Sequence, residues 1–70
     1  MHTTMEITLN GQAHELPAPT SLSALLESLG LSGKPVVAEL NHEAVLPRHF
    51  PETQINAGDS LEIITLAAGG

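Results

Sequence analysis

The sequence contains no cysteine, tryptophan or tyrosine, and Phe50 is its only aromatic residue. Without cysteine, disulfide bonds and thiolate metal sites are excluded. No apolar stretch approaches the roughly 20 residues that a transmembrane helix requires, and no charged N-terminal segment precedes an apolar run. We therefore expect a chain with no signal peptide and no membrane partner, located in the cytoplasm.

Positive charge is also scarce. The chain has two basic side chains, Lys34 and Arg48, and eight carboxylates, so its formal net charge is −6. Nucleic-acid binding requires clustered basic side chains that replace counterions, so we expect no nucleic-acid partner. An acidic surface suits a partner with a basic docking face, since opposite fields speed the encounter. Negative charge serves solubility alone in many proteins, which is the simpler explanation.

The 70 residues suffice for one domain. A chain of this size buries only about 60% of the surface that its unfolded form exposes, so it has little core volume to give up for a deep pocket. Hydrophobic residues make up 41% of the chain, which predicts an aliphatic core. These limits weigh against a stand-alone enzyme.

Hydrophobic periodicity predicts one hairpin and one helix in the first half of the chain. Strand-like alternation over Thr4–Leu9 is followed by Asn10-Gly11, a strong signal for a type I′ turn, and by a returning strand over Gln12–Leu16. Thr20 or Ser21 can cap a helix. The helix itself is predicted from the leucine stripe Leu22, Leu25, Leu26 and Leu29, with Gly30 as its C-terminal cap.

The second half predicts three further extended segments around a central irregular stretch. In order, the elements are a strand over Val36–Leu40, a turn over 41–43, a short strand over Ala44–Leu46, an irregular stretch over Pro47–Gln54 with a helical turn around Phe50, a tight turn over 56–59, and a final strand over Ser60–Leu66. One helix must cover one face of a mixed sheet of four to five strands. The predicted class is α+β, a ubiquitin-like β-grasp domain over 1–66 with a flexible tail over 67–70.

The tail, Ala67-Ala68-Gly69-Gly70, combines small residues with two final glycines. Terminal residues are often simply frayed. Residues without bulky side chains also let a backbone thread a narrow channel, so we expect Ala68 and Gly69 to enter a partner and present the Gly70 carboxylate. A carboxylate is inert toward nucleophiles until its oxygen becomes a good leaving group, for instance by adenylation. The chain has no phosphate-cradling loop, so another enzyme would supply that step.

Three apolar residues are expected on the outer face of the sheet. Val37, Ile64 and Leu66 alternate with presumed core positions on the third and final strands. Isolated apolar side chains on a surface are ordinary. A contiguous patch beside a reactive terminus is more often a docking site, so we predict that these residues contact a partner.

The remaining polar residues do not form a recognisable catalytic or metal motif. The four histidines lie on different predicted elements, so we expect solvated side chains and no metal site. No nucleophile elbow surrounds any serine. Glu39 and Glu43 have the residue type for acid–base catalysis, but without a pocket they are expected to be solvated.

The chain resembles the thiamine-biosynthesis sulfur-carrier (ThiS-like) family over essentially its whole length. The matching segments are 7–11, 20–26, Leu40-Asn41 with Pro47-Arg48, 57–59 and 61–64, leading into Gly69-Gly70. The Asn41 to Pro47-Arg48 stretch and the final glycines are the specific parts of the resemblance.

The resemblance implies a sulfur-carrying cycle. An activating enzyme would adenylate the Gly70 carboxylate with ATP and Mg, and a sulfur donor system would convert it to a thiocarboxylate. Thiazole synthase would then accept the sulfur. The carrier would bind no cofactor of its own, would not be an enzyme, and would be a monomer when free.

Other functions remain open at this stage. The small subunit of molybdopterin synthase, or another sulfur carrier, would keep the chemistry and change the recipient. A protein-modifying tag would join Gly70 to a lysine of a target. A plain interaction module would not need Gly70 at all.

Overall fold

The computed structural model describes residues 4–66. The helices and strands of this part of the chain are β1 Met5–Leu9, β2 Gln12–Leu16, β3 Thr20–Ser21, α1 Leu22–Ser28, β4 Val36–Leu40, β5 Glu43–Val45, a 3-10 helix Pro47–Glu52, β6 Gln54–Ile55 and β7 Ser60–Thr65. The helix and the five strands of three or more residues follow the predicted order. The short strands β3 and β6 are additional.

The main sheet has five strands in the order β2-β1-β7-β4-β5. β1 runs parallel to β7, and the other neighbouring strands are antiparallel. The helix packs three leucines against the inward side of the sheet to form one core. The buried hydrophobic residues of this core are Ile7, Leu16, Leu22, Leu25, Leu26, Val36, Ala38, Phe50, Ile55, Leu61 and Ile63. The predicted α+β class, a β-grasp with one main helix, is confirmed.

Both hairpins of the main sheet turn through two residues with positive φ. Asn10 and Gly11 have φ values of 50° and 81°, as the predicted type I′ turn requires. Asn41 and His42 do the same with φ values of 51° and 71°. The prediction that Glu43 belongs to the second turn is wrong, because two such residues already reverse the chain and Glu43 pairs with Leu40.

The helix is held at both ends by the residues that the sequence indicates. Ser21 Oγ accepts a hydrogen bond from the backbone N–H of Ala24 at 3.0 Å, so Ser21 is the N-cap. Gly30 has a φ of 76°. Its N–H donates to the Glu27 carbonyl at 3.0 Å, which satisfies a carbonyl that the ended helix leaves free.

The stretch between β5 and β7 is more regular than the sequence predicts. The expected helical turn around Phe50 is a 3-10 helix, and it buries the phenyl ring. The chain then pairs Thr20 with Ile55 and Ser21 with Gln54 in a second, two-stranded sheet. This small sheet ties the start of the helix to the later part of the chain.

Candidate functional site

The middle strand of the sheet leads directly toward the tail. β7 lies between β1 and β4, and its inward residues Leu61 and Ile63 are buried. The backbone N–H of Leu66 donates to the Pro35 carbonyl at 3.0 Å, one residue beyond the end of β7. The hydrogen-bonded ladder therefore fixes the point from which segment 67–70 departs.

The predicted tail residues Ala68, Gly69 and Gly70 lie outside the described residues. Gly70 follows Leu66 by four residues. Four residues span at most about 14 Å when fully extended. A partner that acts on Gly70 must therefore bring its reactive centre within about that distance of Leu66.

Val37 and Ile64 lie directly opposite each other on the outer face of the sheet. Their side chains are 42% and 61% exposed. Leu46 is 51% exposed and directly follows Val45, which pairs with Ala38, the neighbour of Val37. We call Val37, Leu46 and Ile64 the outer apolar patch.

Leu46 was missed by the sequence analysis, although a signal for it exists. Val45 pairs with the buried Ala38, so its side chain is on the inner face of the sheet. Leu46 continues in an extended conformation with φ −73° and ψ 143°. Alternation alone therefore assigns Leu46 to the outer face.

Leu66, the third residue predicted for docking, was expected on the outer face of the sheet, but it borders a groove on the helix side. β7 ends at Thr65, so strand alternation no longer determines the side on which Leu66 lies. Its side chain is 51% exposed. The groove has a volume of about 580 Å³. Its apolar lining consists of Leu26, Leu31, Pro35, Val36, Phe50 and Leu66, together with Pro47. We call it the tail-root groove.

Carboxylates face each other twice on the outer side of the sheet. Glu39 lies opposite Glu62 on β4 and β7, and Glu6 lies opposite Glu15 on β1 and β2. Like charges directly opposite each other destabilise a sheet. The face therefore joins the outer apolar patch to four negative charges, an arrangement that is complementary to an apolar surface with a basic margin.

The other polar candidates have structural explanations within residues 4–66. His49 Nδ1 lies 2.7 Å from Glu52 Oε1, an exposed contact within the 3-10 helix. No group of His, Asp and Glu in the described part could hold a metal ion. Glu39 and Glu43 point to opposite faces of the sheet, because Glu39 pairs with Glu62 and Glu43 with Leu40. They form no acid–base pair.

None of the helices over 4–66 is long and apolar enough to cross a membrane.

A mixed five-stranded sheet, covered by one helix and leading through its middle strand to a small-residue tail, defines a ubiquitin-like β-grasp protein. Residues 5–70 match the model of the ThiS family. The sulfur carrier protein ThiS of Thermus thermophilus is 37% identical over 62 residues, which cover 89% of this chain and 95% of that protein. The chain belongs to the ThiS family of small sulfur carrier proteins.

Two further comparisons extend this result. A crystal structure of the thiamine biosynthesis protein ThiS from Geobacter metallireducens superposes with a TM-score of 0.81 at 28% identity, covering 94% of this chain and 100% of that chain. A thiazole synthase of Paramagnetospirillum magneticum is 33% identical over 66 residues. This match covers 94% of the present chain but only 20% of the thiazole synthase.

Proposed function

We propose that this chain carries sulfur as a thiocarboxylate on Gly70 and delivers it for thiazole formation in thiamine biosynthesis. The observation that carries the proposal is the family match, which extends through Gly70 itself. The fold supports it, because the middle strand β7 holds the chain in place up to four residues before Gly70.

The chemistry takes place in two steps on the Gly70 carboxylate. The carboxylate oxygen first attacks the α-phosphate of ATP, with Mg held by the activating enzyme, and pyrophosphate leaves. Sulfide then attacks the acyl carbon of the adenylate, and AMP leaves. The product is a thiocarboxylate, whose sulfur is a far better nucleophile than the original oxygen. The carrier contributes the acceptor atom, while ATP and Mg belong to the partner.

The partners of this cycle are an adenylating enzyme, a sulfur donor system and thiazole synthase. The likeness between this chain and a segment of a longer thiazole synthase supports the last of these. In that protein a segment similar to this carrier is part of the same polypeptide as a thiazole synthase. Fusion into one polypeptide is typical of proteins that act together. The free carrier is proposed to be a cytoplasmic monomer.

The outer apolar patch is proposed as the docking surface for the activating enzyme. Val37 and Ile64 present adjoining apolar side chains on the two strands nearest the tail, and Leu66 marks the departure of the tail. Opposed carboxylates border the patch on the same face. An enzyme surface with an apolar centre and a basic margin fits this arrangement.

The test is the intact mass of the protein after incubation with its host's activating enzyme, Mg-ATP and sulfide. We expect a mass gain equal to the replacement of one oxygen by sulfur, and no gain after deletion of Gly70. A parallel reaction on a known carrier verifies the enzyme. If that carrier gains sulfur and this protein does not, the proposal is wrong.

The test also separates this function from a protein-modifying tag. A tag would be activated at Gly70 but would end in an isopeptide bond to a lysine, which adds the mass of a whole protein. Transfer of labelled sulfur from the thiocarboxylate to a thiazole product, when thiazole synthase is added, identifies the recipient. Transfer to a molybdopterin precursor instead would identify a carrier of the molybdopterin-synthase type.

A further inference from the structure

The tail-root groove combines an apolar lining with a positive charge. Lys34, one of two basic side chains in a chain of net charge −6, lines the groove. None of the eight carboxylates lines it. Within residues 4–66 the Lys34 ammonium forms no salt bridge. The groove therefore differs in charge from the acidic outer face.

Arg48, the other basic residue of the described chain, is near the groove in sequence but does not line it. It follows Pro47, a lining residue, and it is exposed at the start of the 3-10 helix. The ordinary explanation of an apolar groove is imperfect packing of a small domain. That explanation does not account for a lining that contains Lys34 and none of the eight carboxylates.

The groove lies where an enzyme acting on Gly70 must be. Leu66 lines the groove, and Gly70 is four residues further along the chain. Because four residues reach about 14 Å at most, the enzyme surface around its active site comes close to Leu66 whenever Gly70 is bound. Contact with the groove adds a second point of attachment on the helix side of the sheet.

We propose that the tail-root groove binds a segment of the activating enzyme that presents one apolar side chain beside a carboxylate. The apolar side chain packs against Leu31, Val36 and Phe50, and the carboxylate pairs with Lys34. This second contact holds the tail at its origin while the outer apolar patch holds the body. The proposal rests on the proposed function, because it assigns the groove to the enzyme that activates Gly70.

The experiment measures the KM and kcat of the carrier in ATP–pyrophosphate exchange by the activating enzyme. Lys34→Glu reverses the charge on the groove wall. Ser32→Phe fills the groove from its exposed loop, and Ser23→Phe fills it from the helix. Gln12→Glu combined with Ala13→Glu changes the net charge as much as Lys34→Glu, but on the edge strand β2. Circular dichroism and urea unfolding verify that each variant is folded.

We expect Lys34→Glu to raise KM about tenfold at low salt with little change in kcat, and to lose much of this effect at high salt. A groove-filling variant is expected to raise KM at every salt concentration, because it blocks an apolar contact. The β2 control should remain within about twofold of the wild type, since rim charges far from the contact act weakly.

The outcomes separate this proposal from the proposed function. If the wild-type carrier is activated while Lys34→Glu and a folded groove-filling variant keep the wild-type KM, the groove proposal is wrong and the carrier function stands. If the β2 control raises KM as much as Lys34→Glu, the effect is one of net charge and the proposal is also wrong. If the wild-type carrier is not activated at all, both proposals fail.

Discussion

Asn10 Oδ1 accepts a hydrogen bond from the backbone N–H of Ile63 at 2.8 Å. The backbone N–H of Asn10, one residue beyond β1, donates to the Leu61 carbonyl of β7 at 2.9 Å. Because β1 ends at Leu9, the Asn10 side chain takes the place of a strand backbone and extends the parallel ladder by one bond. The same residue turns the first hairpin with a φ of 50°.

The two contributions of Asn10 are separable by substitution. Asn10→Gly keeps the positive φ but removes the acceptor, and we expect a loss of about 1–2 kcal/mol in the free energy of unfolding. Asn10→Ala also forces a side chain into the left-handed region, which adds about 1–2 kcal/mol. Asn10→Asp retains an acceptor and tolerates the turn, so it serves as the control. Urea unfolding of Asn10→Gly with wild-type stability would show that the Ile63 bond contributes nothing.

Asn41 forms a comparable clamp on the other side of β7. Its Oδ1 accepts from the Ser60 N–H at 2.9 Å, and its Nδ2 donates to Asp59 Oδ1 at 3.1 Å. Asn41→Asp brings two carboxylates together, and we expect a loss of about 1–2 kcal/mol. Adding Asp59→Asn to Asn41→Asp exchanges the donor and the acceptor of this hydrogen bond. The double variant should therefore be more stable, by at least about 0.5 kcal/mol, than the sum of the two single effects predicts. Strictly additive unfolding energies in this double-mutant cycle would contradict the clamp.

The opposed carboxylates predict a variant that is more stable than the wild type. Glu39→Gln removes the repulsion from Glu62, and we expect a gain of about 0.2–1 kcal/mol in the free energy of unfolding at low salt. High salt should abolish the gain, because exposed charges are screened. Glu43→Gln is the matched control, since Glu43 lies opposite Leu40. Equal gains for both variants would assign the effect to net charge.

The same Glu39→Gln variant is expected to dock more slowly. If the outer face meets a basic enzyme surface, removing one carboxylate lowers the association rate a few-fold at low salt. Stopped-flow association with the activating enzyme measures this rate. An unchanged rate with a measurable gain in stability would indicate that these carboxylates serve solubility.

Ile64→Asp tests the outer apolar patch directly. The side chain is 61% exposed, so we expect the fold to survive. A charge inside an apolar contact should weaken binding to the activating enzyme by about 2 kcal/mol or more, over tenfold in Kd. Thr8→Asp places the same group on the outer face of β1, away from the patch, and should bind as the wild type does. Calorimetry that finds equal affinities for the two variants would contradict docking at this patch.

The elements predicted correctly have strong local signals. Asn10-Gly11 specifies the first hairpin through positive φ, and the leucine stripe specifies the inward face of the helix. The strands β3 and β6 escaped prediction for a physical reason. Two residues are too few for alternation to be recognised, and their pairing joins parts of the chain that are far apart in sequence.

The candidate site was predictable where alternation along a strand applies. It assigned Val37 and Ile64 to the outer face of β4 and β7, and the structure places them directly opposite each other. The tail-root groove was not foreseen, because it depends on how the loop before β4 and the 3-10 helix pack around Leu66. The docking roles of Val37, Ile64 and Leu66, and the role of Gly70, stay predictions.

The central place of β7 in the sheet has a mechanical consequence. If the tail enters a partner's channel as predicted, its withdrawal pulls on the chain along the axis of β7. Because β7 is hydrogen-bonded to β1 on one side and to β4 on the other, this tension is resisted in shear by both ladders together. An edge strand would instead be peeled away one bond at a time. For the proposed cycle, in which the tail leaves one partner and enters the next, we therefore expect the body of the carrier to stay folded.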